Sequence, residues 1–205
     1  LRAAGYHTGL VGKLHVNPES AFPFDFGAIN HSNFQRQEPA EAYVAAAEEF
    51  WRASAGKPWF LSVNFPDAHL PFLRQAHGRP AQPLTGRDVK PLPWIGTDSE
   101  RLRAITADYY NCLARLDDGV GLLLAALEKS GAATDTLVVY FGDHGAQFPR
   151  GKGSVYDCAL RVPLLLRWRA RIPAGIVRKE MTSTLDLLPT VLAACKITPP
   201  KGLPG

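Results

Sequence analysis

The chain has 205 residues, 46% hydrophobic and 20% charged, with a net charge of +4 at neutral pH. That balance fits one ordinary soluble globular domain large enough to bury a core. No apolar run reaches the roughly 20 residues of a membrane span, and there is no Lys or Arg tract of the kind that makes a nucleic-acid arm. The mild positive charge suits an anionic substrate, although many enzymes share it.

Read in chain order, Leu1 to Ala4 form the last turn of a helix, with Gly5 as its stop. The chain lacks a starting Met and opens in what reads as the middle of a domain, so a fragment of a longer protein is expected. A strand follows at His7 to Val11, then a helix from Glu41 to Ser54 and an apolar strand from Trp59 to Phe65. Residues 66 to 98 are rich in Pro and Gly and predict a long loop, a type that is usually functional or disordered.

The clearest helix comes next. Thr97 is its expected cap, with Glu100 as capping-box partner. Its apolar seam runs Leu102, Ile105, Tyr109, Cys112, Leu116, Val120, Leu123 and Leu127, in steps of three and four, and it stops at Gly131. Thr136 to Phe141 and Val162 to Trp168 read as strands, the first nearly all apolar in the manner of buried parallel strands. Leu185 to Cys195 predict a last helix, with Pro189 in its first turn. The alternation predicts an α/β fold, a largely parallel (mixed) sheet with helices on both faces. Residues 1–197 read as one partial catalytic domain and 198–205 as a linker or cut end.

Three polar clusters each follow a predicted strand: Gly12-Lys13-Leu14-His15, Asp67-Ala68-His69 and Asp143-His144-Gly145. Ligand sites of open α/β sheets lie at the carboxyl ends of strands, so the three are expected to converge. Asp143 and His144 are candidate ligands of a divalent cation; the alternative is a turn-capping Asp beside a solvated His. Lys13 and His15, two apart, share a face of an extended segment and suit an oxyanion; alternatively they are surface groups. His69 is a candidate acid for a leaving group, and Lys152, in a flexible basic loop, a candidate anion binder. Each of these also has an ordinary surface reading. Cys112, Cys158 and Cys195 match no zinc or disulfide spacing. Asp117 and Asp118 lie mid-helix and read as packing or solvated groups.

These residues carry a resemblance. Leu1-Arg2-Ala3-Ala4-Gly5-Tyr6 leading to Gly12-Lys13-Leu14-His15 resembles the second signature of the sulfatases, an alkaline-phosphatase-like family. Leu116-Asp117-Asp118-Gly119-Val120-Gly121, the strand and loop Thr136 to Gly145, Arg161-Val162-Pro163-Leu164 and Asp186-Leu187-Leu188-Pro189-Thr190 match the family in the same order. Within it, His15-Val16-Asn17-Pro18-Glu19, Phe22-Pro23-Phe24-Asp25-Phe26 and Phe148-Pro149 resemble the heparan N-sulfatase (sulfamidase) branch.

The resemblance implies hydrolysis of sulfate from a sulfated sugar such as N-sulfoglucosamine, through a formylglycine and one calcium ion. It makes Asp143 and His144 calcium ligands, Lys13 and Lys152 sulfate binders, His15 a contact of the formylglycine that helps expel sulfate, and His69 the hydrogen-bond partner of the leaving group. The family's Cys/Ser-x-Pro/Ala-x-Arg motif and its N-terminal pair of metal-binding aspartates have no match here, so both are expected upstream. The chain alone is then expected to be inactive and to bind calcium weakly. The resemblance implies a sulfated carbohydrate as partner, no nucleic acid, and a periplasmic, lysosomal or secreted setting. A phosphatase or phosphodiesterase of the same superfamily, or a non-catalytic sulfatase-like protein, are the competing readings.

Overall fold

Arg2–Ala4 form a short 3-10 turn, and Gly5 ends it with φ of 84° in the computed structural model, which describes residues 1–32 and 37–204. Gly205 of the terminal stretch lies outside the described residues. The chain then enters β1 (His7–Gly12), which is central in a three-stranded parallel ladder. On one side lies β2 (Phe26–Ala28) and on the other β3 (Trp59–Asn64), with His7 opposite Trp59 and Gly12 opposite Asn64. Only a short run such as Phe26-Gly27-Ala28 defines β2, too little for an alternation pattern to be visible in sequence.

Between β2 and β3 runs α1 (Ala40–Ala53), which packs on β1 and β3. Its Tyr43, Ala46, Ala47 and Phe50 are spaced at helical steps and all are buried. Phe50 stacks on the His7 ring at 4.9 Å and meets Phe26 and Trp59 edge-on. Tyr43 stacks on Phe65 at 4.5 Å. Val11, Tyr43 and Ala46 form the centre of this core. Truncating a buried aromatic such as Phe50 to Ala typically costs about 3–5 kcal/mol.

The long helix α2 (Glu100–Lys129) packs against α1. Its cap is Ser99, whose Oγ accepts from the Leu102 N–H at 3.2 Å, and not Thr97. The expected apolar seam is also displaced: Ile105 is exposed, while Thr106, Asn111 and Arg115 are buried. The reason lies in the loop that α2 carries. Asn111 Nδ2 donates to the Leu84 carbonyl, and its Oδ1 accepts from the Leu84 N–H. Arg115 donates to Asp67 and to the carbonyls of Leu73 and Arg79. Polar side chains of α2 therefore satisfy main-chain groups of the 66–98 loop, which lets that loop lie ordered against the helix.

The last part holds β4 (Val138–Phe141), a single helical turn α3 (Asp157–Leu160), β5 (Leu164–Arg167) and α4 (Leu187–Ala194). β4 and β5 pair with each other antiparallel, in a ladder separate from β1–β3. The apolar run of β4 thus does not mark a parallel, doubly buried strand: its residues are half-buried or exposed, and its partner β5 runs antiparallel. Among the described residues, no helix is long and apolar enough to cross a membrane.

Candidate active site

Lys13 leaves the end of β1 through a backbone position that only glycine fills. Gly12 has φ of 95°, and a Cβ there would meet the Asn64 carbonyl oxygen at 2.1 Å. The end of β3 holds the segment from the other side, since Asn64 Nδ2 donates to the Lys13 carbonyl at 2.8 Å. Lys13 and His15 are exposed beyond this clamp, and neither side chain has a hydrogen-bond partner among the described residues. Asp67 and His69 follow β3 at the same end of the ladder.

Two loops from different strands meet at His69. Its Nδ1 donates to the Leu70 carbonyl at 2.6 Å, which leaves Nε2 as the acceptor, and Lys152 Nζ lies 3.3 Å from that atom. Next to this contact the Leu70 N–H donates to Gln147 Oε1 at 2.7 Å. Beneath it, Phe72, Tyr109 and Phe148 form a ring cluster with centroids 5.2 to 5.5 Å apart. That cluster pins the loop after β3 and the loop after β4 on the same stretch of α2. Burial pushes the Tyr109 phenol up from its ordinary value.

Asp143 and His144 follow β4. Gly145 brings this turn against α3: its N–H donates to the Ala159 carbonyl at 2.8 Å, and a Cβ would meet the Cys158 carbonyl oxygen at 1.9 Å. His144 Nδ1 donates to the Gly145 carbonyl at 2.8 Å, and its Nε2 lies 3.5 Å from Asp143 Oδ2. Donation of one ring nitrogen to a backbone carbonyl is also how metal-binding histidines are oriented. Asp143 is 84% exposed. Among the described residues no three His, Cys, Asp or Glu side chains gather around one point. Calcium takes six to eight ligands. Asp143 and His144 are two candidate donors, one oxygen and one nitrogen, fewer than a calcium ion takes.

Of the six candidates, the structure brings His69 to Lys152, Asp143 to His144, and Lys13 with His15 to the strand end next to the Asp67–His69 turn. The sequence reading passed over Arg115, Asn64 and Gln147. Arg115 had a signal: a cation beside the apolar seam of α2 must find a partner if it is buried. Cys112 is buried beside it, with its thiol pushed up to about 11 by burial and then by the Asp67 charge. It is an inert core thiol. Asp118 is exposed and faces Arg79 at 3.4 Å.

Comparison with known proteins bears on this arrangement. The family model described as Sulfatase matches residues 1–197. Human N-sulphoglucosamine sulphohydrolase is 31% identical over 94% of this chain and 42% of its own length. Human N-acetylgalactosamine-6-sulfatase is 31% identical over 98% of this chain and 44% of its own. A solved structure in complex with its substrate D-glucosamine-2-N,6-O-disulfate superposes with a TM-score of 0.70 at 16% identity, over 98% of this chain and 61% of that one. The fold is an incomplete alkaline-phosphatase-like α/β domain. The chain belongs to the sulfatase family. It spans less than half the length of these curated relatives.

Proposed function

We propose that the complete protein releases sulfate from a sulfated sugar, and that N-sulfoglucosamine is its substrate. The observation that carries this reading is the contact of Lys152 with His69 at 3.3 Å. Hydrolysis of a sulfamate transfers the sulfuryl group to water and returns a proton to the departing nitrogen. An amine leaves as its anion only at great cost, so a proton must be supplied there. The Lys152 ammonium and the His69 ring hold such a proton between them. Lys152 also brings positive charge to a sulfuryl oxygen, as Lys13 does from the end of β1, with His15 beside it. Asp143 and His144 would hold calcium, which when bound neutralises charge on the sulfuryl oxygens, while the family's formylglycine supplies the nucleophile. The 31% identity to human N-sulphoglucosamine sulphohydrolase supports the choice of substrate.

The test is turnover by the complete protein, produced together with a formylglycine-generating enzyme. N-sulfoglucosamine, an O-sulfated sugar and a phosphodiester are compared. Sulfate release fastest from N-sulfoglucosamine is expected. Faster cleavage of the phosphodiester would replace this reading with that of a phosphodiesterase. No turnover of any of them would leave a non-catalytic protein.

A further inference from the structure

We propose that Arg115 is a positioning residue for the His69–Lys152 pair, acting through its ion pair with Asp67. The inference rests on the proposed role of His69. The Arg115 and Asp67 side chains are only 7% and 8% exposed. Arg115 Nε donates to Asp67 Oδ2 at 2.8 Å and Nη2 to Asp67 Oδ1 at 2.7 Å, a two-point fork. The same guanidinium donates through Nη1 to the Leu73 carbonyl and to the Arg79 carbonyl, and through Nη2 to Cys112 Sγ. One side chain of α2 thus holds the loop at residue 67, ahead of His69, and at residues 73 and 79, beyond it.

The path from the fork to the ring is short and hydrogen-bonded. The Asp67 main chain enters a turn that the His69 N–H closes on the Pro66 carbonyl at 3.1 Å. The next residue, Leu70, is tied to Gln147 on the loop that carries Lys152. A buried ion pair is a poor way to gain stability, because desolvation of two charges offsets much of their attraction; apolar residues of the same volume often do as well. What the fork supplies, and apolar packing does not, is direction. A planar guanidinium fixes both the place and the orientation of the carboxylate it grips. The ring two residues on is held in hydrogen-bond reach of Lys152 as a result.

The experiment uses the complete protein and the Arg115→Lys variant, which keeps the charge and removes the fork. Two substrates are compared: N-sulfoglucosamine, whose nitrogen needs a proton to leave, and an aryl sulfate with an acidic phenol, which does not. A displaced donor is expected to lower kcat for N-sulfoglucosamine about 10- to 100-fold with KM little changed, and to leave the aryl sulfate nearly as fast as before. In a His69→Ala background, Arg115→Lys is expected to cause no further loss, since both changes remove one function. An equal loss on the two substrates, or the full loss repeated in the His69→Ala background, would show a merely structural role and overturn the proposal. Should Arg115→Lys not fold, Asp67→Asn removes the charge at constant shape and is judged by the same pattern. If His69→Ala itself leaves the N-sulfoglucosamine rate unaltered, the role of His69 fails instead. The positioning claim is then decided by the crystal structures of the variants: a Lys152–His69 contact retained at hydrogen-bond distance overturns it, and a lost contact supports it.

Discussion

Lys152 and His69 are 83 residues apart in sequence and 3.3 Å apart in the fold. The His69 Nδ1 proton is committed to the Leu70 carbonyl, so the lone pair on Nε2 faces the ammonium. His144 is fixed in the same way, with Nδ1 bound to the Gly145 carbonyl and Nε2 toward Asp143. Here the donor type matters, because calcium prefers oxygen, while imidazole nitrogen suits transition metals. His144→Asn exchanges the nitrogen for an amide oxygen. In the complete protein this substitution is expected to tighten calcium relative to zinc by about tenfold, the lower end of what a change near a metal produces. Competitive binding titration of the two cations checks it, and an unchanged calcium-to-zinc ratio would remove His144 from the metal shell.

At the scale of elements, the parallel ladder is fastened at both ends of β1. At its carboxyl end Asn64 clamps Lys13. At its start Asp25, just before β2, accepts from the Thr8 N–H and from Thr8 Oγ1, each at 2.9 Å, and pairs with Arg2. The Thr8 hydrogen bonds, main-chain first and then side-chain, hold the Asp25 carboxyl below its ordinary value of 3.8, and Arg2 adds to this. A carboxyl with a depressed folded pKa stabilises the fold fully above its ordinary value, and that contribution is lost as pH falls through the folded value. The melting temperature of Asp25→Asn is therefore expected to lie below that of the unaltered protein at neutral pH, with the gap narrowing as pH drops below about 3.8. A gap that stays constant down to strongly acid pH would contradict this.

The elements themselves were largely legible in the sequence, since the helical steps of α1 and α2 and the apolar runs of β1, β3, β4 and β5 are local signals. The partners were not. Arg115 meets Asp67 across 48 residues and Gln147 meets Leu70 across 77, and neither pairing leaves a local trace. α3 is a single turn and offers no period to detect. The six candidate site residues came from motifs placed after strands. The groups that hold those residues in place had no motif to mark them.

For the whole molecule, the relevant facts are its incomplete donor set and its uncovered apolar surface. Phe141, Leu164, Leu165 and Leu166 on the antiparallel ladder are all exposed, Leu165 by 61%. Apolar area of this kind marks an interaction surface or an aggregation liability. Asp143 and His144 offer only two donors to a cation, and the chain spans 42% of the human N-sulphoglucosamine sulphohydrolase with which it aligns. On the proposed reading, activity belongs to the complete protein, where the six candidate residues of this chain would bind charge and move a proton.

The most direct measurement is sulfate release from N-sulfoglucosamine by the complete protein, with calcium and after its removal by chelation, for the unaltered protein and for Asp143→Ala. Calcium-dependent release, lost in Asp143→Ala by at least about 100-fold as expected for a metal ligand, is the predicted result. Release that is indifferent both to chelation and to Asp143→Ala would contradict the account.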